Sequence, residues 1–262
     1  SWLADWTDTI EIGSPQYLRR TWTPWAVSLR IMHLLRYLAW RRESIPAEST
    51  GSFGRELRRE IYKNTLFLDN HIEWDVGGNH LIENGIALLT SGLVFDRQSW
   101  TEKGQRILVK TAETQFLDDG YHFERSPMYH LLSLSRYLTA CDLLTRSDRS
   151  LPAELAQTTA DGAAFLDYLR PPDGRIPLLN DSVYDQALGL DACRRYAQSV
   201  GFGDGEDRWE SPVGDLDCER TAGYHWLQND DGAMLVDGGI VGPPHLPGHS
   251  HSDMLSVLLW LD

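Results

Sequence analysis

The sequence has few cysteines and no long apolar run. Three cysteines occur in 262 residues, with no C-x-x-C pair, so neither a disulfide framework nor a cysteine zinc site is indicated. We predict that Cys141, Cys193 and Cys218 are core or free thiols. No apolar run reaches the roughly 18 to 20 residues that a membrane span needs, and the first residues lack the segments of a signal peptide. These absences predict a soluble chain with no membrane span and no signal.

Basic residues are also scarce. The 24 Lys and Arg stand against 38 Asp and Glu, which gives a formal net charge of −14. Because nucleic-acid binding needs a basic surface, this balance argues against a nucleic-acid partner. An anionic substrate would need a local basic site, for which the candidate cations are Arg19, Arg20, Arg30, Arg36 and Arg125.

The motifs of several common chemistries are missing. The sequence contains no P-loop, no H-E-x-x-H, no G-x-S-x-G and no G-x-G-x-x-G after a strand. These absences argue against nucleotide-binding, zinc-protease and serine-hydrolase classes.

What the sequence does contain over most of its length is helical periodicity. Apolar residues recur at three- and four-residue steps, and glycine, proline and aspartate clusters separate the periodic segments. We predict seven helices, paired antiparallel by short loops, at 25–41, 53–72, 79–94, 99–116, 127–144, 152–169 and 184–200.

After 201–205 the composition changes to that of strands. Residues 224–228 and 233–237 flank a turn of Asn, Asp and Gly, and 254–261 is rich in Leu and Val, which predicts a hairpin and a third strand. We predict a helical domain at 1–205 and the start of a β domain at 206–262. Because the sequence stops inside this strand, we expect a fragment or a mature product.

The first polar cluster is Asn79-His80-Leu81-Ile82-Glu83-Asn84. On a helix, His80, Glu83 and Asn84 share one face, so Glu83 lies one turn from His80 and would orient its ring and raise its basicity. The alternative is that Asn79 only caps the helix and that the His/Glu pair is a solvated ion pair.

The second cluster is the segment 121–130. Ser126 as N-cap and Pro127 as the first helical residue place Tyr129 in the first turn of a helix. The positive end of the helix would favour a phenolate there, and Arg125 would add to this effect. The alternative is ordinary aromatic packing at a helix start.

The third cluster is the loop 177–182, which precedes a predicted helix. Its Asp181 or Ser182 is most simply the N-cap of that helix.

The fourth cluster is Gly248-His249-Ser250-His251-Ser252-Asp253. If this segment runs into a strand, His249, His251 and Asp253 share one face. Imidazole and carboxylate side chains bind zinc or move protons near neutral pH. The alternative is a polar strand edge or loop.

In this order and spacing, the four clusters resemble those of the heparinase II/III-like polysaccharide lyases, a group of heparinase and alginate lyase types. The segments 22–25 and 28–31 are similar to the N-terminal motif of the same group. The resemblance implies an incomplete (α/α) toroid of antiparallel helix pairs, followed by the first strands of an antiparallel β-sandwich. It also implies a lyase that cleaves a uronate-containing polysaccharide by β-elimination.

The resemblance assigns roles to individual residues. Asn79 and His80 would neutralise the uronate carboxylate, with Glu83 orienting His80. Tyr129 would protonate the leaving O4 and, in a syn geometry, would also take the C5 proton; otherwise His80 or His249 would be the base. We assign substrate binding to Arg125.

The resemblance also implies a largely structural zinc ion. His251 matches the family's first zinc ligand, and the remaining Asp and His are expected beyond Asp262. Asp253 does not match the zinc aspartate and is expected to hydrogen-bond locally. The expected setting is the periplasm or the exterior of a bacterium, and the expected partner is an acidic polysaccharide.

Two other functions fit parts of the sequence. One is a toroid glycoside hydrolase that uses two carboxylates, with Asp118, Asp119 and Glu124 as candidates. The other is a non-catalytic glycan-binding or assembly protein of a surface-polysaccharide pathway.

Overall fold

The structure is a computed structural model that describes residues 5, 9, 12–13, 15–44, 51–203 and 221–261. The described residues are mainly helical, with an antiparallel sheet near the C-terminal end. The chain forms two compact units, Ser1–Leu108 and Val109–Asp262. The predicted boundary between domains at 1–205 and 206–262 stays a prediction.

The helices and strands follow in chain order. The helices are α1 (Tyr17–Arg20), α2 (Pro24–Ser44), α3 (Gly51–Asp69), α4 (Gly78–Val94), α5 (Gln98–Gln115), α6 (Pro127–Arg146), α7 (Ala153–Tyr168) and α8 (Leu190–Ser199). The strands are β1 (Tyr224–Asn229), β2 (Gly232–Asp237) and β3 (Val257–Leu261).

Each of the seven predicted helices corresponds to a helix of the structure. The last one was predicted to begin at 184, but α8 begins at Leu190, with Gly189 as its N-cap. Tyr184 and Leu188, two apolar residues of the predicted helix that precede Leu190, are exposed. Their spacing is therefore not that of a buried helix face.

In the first unit, α4 is buried around most of its circumference and packs against α2 and α3. Its neighbour α5 approaches it backbone to backbone. A Cβ added at Gly104 would lie 2.6 Å from the carbonyl oxygen of Gly85, so this close approach requires glycine. The α4 segment with His80 near its start is thus held firmly.

In the second unit, one apolar core joins the helices to the sheet. Its members come from α6, α7, α8 and the first two strands, and include Leu131, Leu134, Leu138, Leu166, Leu190 and Leu235. Burying each such leucine contributes about 1.5–3 kcal/mol. This shared core positions the start of α6 relative to the loops of the sheet.

The sheet has the order β1-β2-β3, and both pairs of strands are antiparallel. Asn229 pairs with Gly232, so Asp230 and Asp231 form the predicted tight turn. The third strand begins at Val257, later than predicted, because Met254 and Leu255 lie in a turn.

Two of the cysteines, Cys141 and Cys193, are buried free thiols, as predicted. Burial raises the pKa of Cys141 to about 11. Cys218 lies outside the described residues. Among the helices that the structure describes, none combines the length and the apolar composition needed to cross a bilayer.

Candidate active site

The ring of Tyr129 stacks on the ring of His249. Their centroids are 3.8 Å apart and the ring planes differ by 27°. Tyr129 is the third residue of α6, which begins at Pro127 after the extended Ser126, as predicted. His249 ends a 3₁₀ turn at Pro247–His249. The loop before β3 therefore lies over the first turn of α6.

His249 contacts a carboxylate through each ring nitrogen, at different distances. Nδ1 lies 2.9 Å from Asp181 Oδ2, whereas Nε2 lies 3.9 Å from Glu124 Oε2. The first is a hydrogen-bond distance and the second is too long. Because an ionised carboxylate only accepts, Nδ1 donates to Asp181. In the neutral ring, Nε2 then keeps its lone pair.

Asn180 joins three segments around this pair. Its amide nitrogen donates to the carbonyl of Arg125 at 2.7 Å, and its amide oxygen accepts from the backbone N–H of His251 at 3.0 Å. Its own N–H donates to the carboxylate of Asp253. The φ of Asn180 is 51°, in the left-handed region that asparagine tolerates.

Ser182, two residues after Asn180, caps α6 from the loop between α7 and α8. Its hydroxyl accepts from the backbone N–H of Met128 at 3.1 Å and lies 2.8 Å from the hydroxyl of Ser126. The prediction that Asp181 or Ser182 caps the following helix is wrong. Asp181 faces His249, and the next helix begins only at Leu190.

Tyr129 is held as a phenol. Burial, and then the negative charges of Asp181 and Glu124, raise the pKa of Tyr129 to about 12. The prediction of a favoured phenolate is wrong, because desolvation and two carboxylates outweigh the positive end of the helix. Near neutral pH Tyr129 therefore carries a proton that it can donate.

Arg125 and Asp119 fix the loop before β1. The Arg125 side chain is buried and donates to the carbonyls of Thr221 and Ala222. Asp119 accepts from the backbone N–H of Ala222 at 2.7 Å and from that of Tyr121 at 3.1 Å. The role of Arg125 in substrate binding stays a prediction.

Asn79, His80 and Glu83 lie in the first two turns of α4, in the other unit. The helix begins at Gly78 with Gly77 as its N-cap, so Asn79 is a first-turn residue and not the cap. His80 stacks on Trp25, with ring centroids 5.4 Å apart and an interplanar angle of 21°. The role of Glu83 in orienting His80 stays a prediction.

The sequence patterns missed Glu73 as a partner of His80. Its Oε1 lies 3.3 Å from His80 Nδ1. Its backbone N–H donates to the side chain of Asn84 at 2.9 Å, and Asn84 in turn donates to Ser28 Oγ at 3.0 Å. Glu73 lies before α4, in a stretch without helical spacing of apolar residues. The helical spacing that suggested Glu83 as the partner of His80 therefore could not reveal Glu73.

The segment 249–253 does not form a strand face, so the prediction that His249, His251 and Asp253 share one is wrong. The residues lie in a 3₁₀ turn and irregular backbone before β3. Asp253 binds the backbone of Asn180, far from it in sequence, and not a local group.

A metal site is not complete in this part of the protein. His251 is exposed, and its Nε2 lies 3.7 Å from Asp181 Oδ1. Within the described ranges, no three His, Cys, Asp or Glu side chains are grouped so that they could hold a metal ion. These residues do not form the expected zinc site by themselves, and no chemical step is assigned to a metal.

Solved structures identify the fold. Heparinase III matches with a TM-score of 0.79 at 20% identity, over 99% of this chain and 44% of that chain. The heparan sulfate lyase HepC from Pedobacter heparinus matches with a TM-score of 0.61 at 20% identity, over 100% of this chain and 43% of that one. The fold is an incomplete (α/α) toroid of antiparallel helix pairs, followed by the first strands of an antiparallel β-sandwich, as predicted.

The sequence identifies the family. The model of the heparinase II/III N-terminus matches residues 1–202, and that of the heparinase II/III-like C-terminal region matches residues 217–262. The chain belongs to the heparinase II/III family.

Two curated relatives are named heparin-sulfate lyase. The protein from Bacteroides thetaiotaomicron is 24% identical over 259 residues, covering 87% of this chain and 36% of its own length. The protein from Pedobacter heparinus is 26% identical over 186 residues, covering 68% of this chain and 28% of its own length. The chain thus spans about a third of the length of these relatives.

Proposed function

We propose that the protein is a polysaccharide lyase that cleaves a uronate-containing glycan by β-elimination. Membership of the heparinase II/III family supports the reaction class. The observation that carries the proposal is the stacked pair of Tyr129 and His249, with the His249 ring hydrogen-bonded to Asp181. A phenol that keeps its proton and an imidazole with an available lone pair are an acid and a base side by side.

The elimination needs both groups. A base removes the proton from C5 of the uronate, the electron pair forms the C4–C5 double bond, and O4 leaves with a proton from an acid. In this proposal His249 Nε2 accepts the C5 proton and the Tyr129 hydroxyl protonates O4. The raised pKa of Tyr129, about 12, favours this role over that of a base.

The uronate carboxylate also has to be neutralised, because charge builds up on it as C5 loses its proton. We assign this role to Asn79 and His80. The contacts of His80 with Glu73 and Trp25 support a fixed ring that presents one nitrogen to a ligand. His80 remains the alternative base.

The proposed substrate is a polymer of the heparan sulfate type, supported by the names of the two curated relatives. Alginate is the second polymer to test. We further propose a periplasmic or secreted location, and a structural zinc ion that uses His251 together with ligands outside residues 1–262. The metal content of the complete protein, compared with that of His251→Ala, tests the zinc proposal.

The function is tested with protein expressed from the complete reading frame. Heparan sulfate, alginate and related polymers are incubated with it, and the ultraviolet absorbance of the unsaturated uronate product is followed. The lyase should form this product from at least one polymer. His249→Gln should lose turnover more completely than His80→Gln if His249 is the base. New reducing ends without unsaturation would indicate a hydrolase, and binding without cleavage would indicate a glycan-binding protein.

A further inference from the structure

Asp181 lies beside two histidines, and none of the predicted catalytic, substrate-binding or metal-binding roles used it. Its Oδ2 accepts from His249 Nδ1 at 2.9 Å, and its Oδ1 lies 3.7 Å from His251 Nε2. Only the His249 contact has hydrogen-bond length. His249 is the better buried of the two histidines, with 24% of its side chain exposed against 52% for His251. The pairing with His249 is therefore the stronger contact.

The residues on either side of Asp181 hold it in place. Asn180 is bonded to Arg125 and His251 through its side chain. Ser182 is bonded to the first turn of α6 through Met128. Anchors on both sides fix the backbone from which Asp181 extends. The carboxylate is thus directed at His249 by the fold itself.

We propose that Asp181 is the positioning residue of His249, which fixes the Nδ1–H tautomer and turns Nε2 towards the substrate. This inference rests on the proposed function, in which Nε2 takes the C5 proton. A neutral imidazole has one N–H, and the nitrogen that carries it is set by the partner of that nitrogen. Asp181, at 2.9 Å, forms that hydrogen bond, whereas Glu124, at 3.9 Å, does not.

If Asp181 only held the loop in place, the Asp181→Asn variant would behave differently from what the positioning role predicts. Asp181→Asn keeps the size of the side chain and an oxygen that can accept from Nδ1, so a loop held by this bond would stay in place. The amide of the variant can also donate to Nδ1, which releases the ring into the Nε2–H tautomer. That tautomer has no lone pair on Nε2 and is not a base there.

The experiment therefore compares Asp181→Asn with the wild-type complete protein. We expect kcat to fall by about 10²-fold to 10⁴-fold with KM changed less than about threefold, as when a catalytic histidine loses its orienting carboxylate. The melting temperature should not change. The matched control is Asp185→Asn, the same substitution at an exposed position of the same loop, which should keep wild-type kinetics.

A second readout reports the tautomer directly. The ¹⁵N chemical shifts of the His249 ring, recorded at about pH 9 where imidazoles are neutral, should show a proton on Nδ1 in the wild type. In Asp181→Asn the proton should shift towards Nε2. A wild-type kcat in Asp181→Asn, or a proton on Nε2 in the wild type, would overturn the inference while leaving product formation intact. If the wild type forms no unsaturated product, the proposed function fails and the ring shifts alone decide the role of Asp181.

Discussion

The hydroxyl of Ser182 accepts a hydrogen bond from the backbone N–H of Met128 at 3.1 Å, across a separation of 54 residues. The helix that carries Tyr129 is thus capped by the loop that carries Asp181. The cap of α6 and the partner of His249 belong to one short stretch of chain, so the positions of Tyr129 and His249 depend on the same loop.

The first prediction concerns this cap. Ser182→Ala should lower the free energy of unfolding by about 1 kcal/mol, because the N–H of Met128 and the hydroxyl of Ser126 both lose a partner. Urea unfolding measures this change. Ser150→Ala, at an exposed loop position, is the control and should change stability by less than about 0.5 kcal/mol. Equal effects of the two substitutions would contradict a capping role.

The second prediction concerns the close approach of α4 and α5. Gly104→Ala should destabilise the protein by about 1–3 kcal/mol, since the new methyl group would meet the backbone of α4. Gly189→Ala should cost less than about 1 kcal/mol, because a Cβ there meets nothing within 4 Å and only the cap preference is lost. Thermal unfolding of both variants distinguishes the two positions. A harmless Gly104→Ala would show that the two helices do not pack this closely.

The third prediction concerns His130, which is fully buried and neutral. It accepts from the backbone N–H of His122 through Nδ1 and contacts the carbonyl of Gly162 through Nε2. Burial lowers the pKa of His130 from 6.5 to about 4. The unfolded chain therefore binds a proton between these values that the folded chain does not, and stability is lost as the pH falls through this range.

The test of this prediction is a comparison of the wild type with His130→Gln. Near neutral pH the wild type should be the more stable protein. As the pH falls from 6.5 to 4, its advantage should shrink by roughly 3 kcal/mol. Exposed His33 provides the control, because His33→Gln should unfold with the pH dependence of the wild type. An advantage that stays constant over this range would mean that His130 is not held neutral by burial.

The helices and the hairpin could be predicted from the sequence because they depend on local patterns. Apolar residues at helical spacing and the Asn229–Gly232 turn are readable one segment at a time. The predicted start of α8 was wrong because Tyr184 and Leu188 have the spacing of a helix face although both are exposed. Local spacing does not reveal which side of a segment is buried.

For the candidate site, the sequence suggested residues but not their partners. The family resemblance assigned catalytic roles to Tyr129 and His249, which stay predictions, and the structure places the two rings in contact. Asp181 was taken for a helix cap, because its contact with His249 spans 68 residues and is created by the fold. The pKa of Tyr129 was predicted in the wrong direction for the same reason, since burial is a property of the folded chain.

The central claim is that Tyr129 donates the proton to the leaving O4 beside His249. The most direct measurement is the rate of unsaturated-product formation from heparan sulfate by Tyr129→Phe, with the affinity for the polymer measured in parallel. Tyr184→Phe, at an exposed tyrosine of the same unit, is the matched control. We predict that Tyr129→Phe loses about 10²-fold to 10⁴-fold in rate, whereas its affinity and the rate of Tyr184→Phe stay unchanged. A Tyr129→Phe variant that forms product at the wild-type rate would contradict the claim.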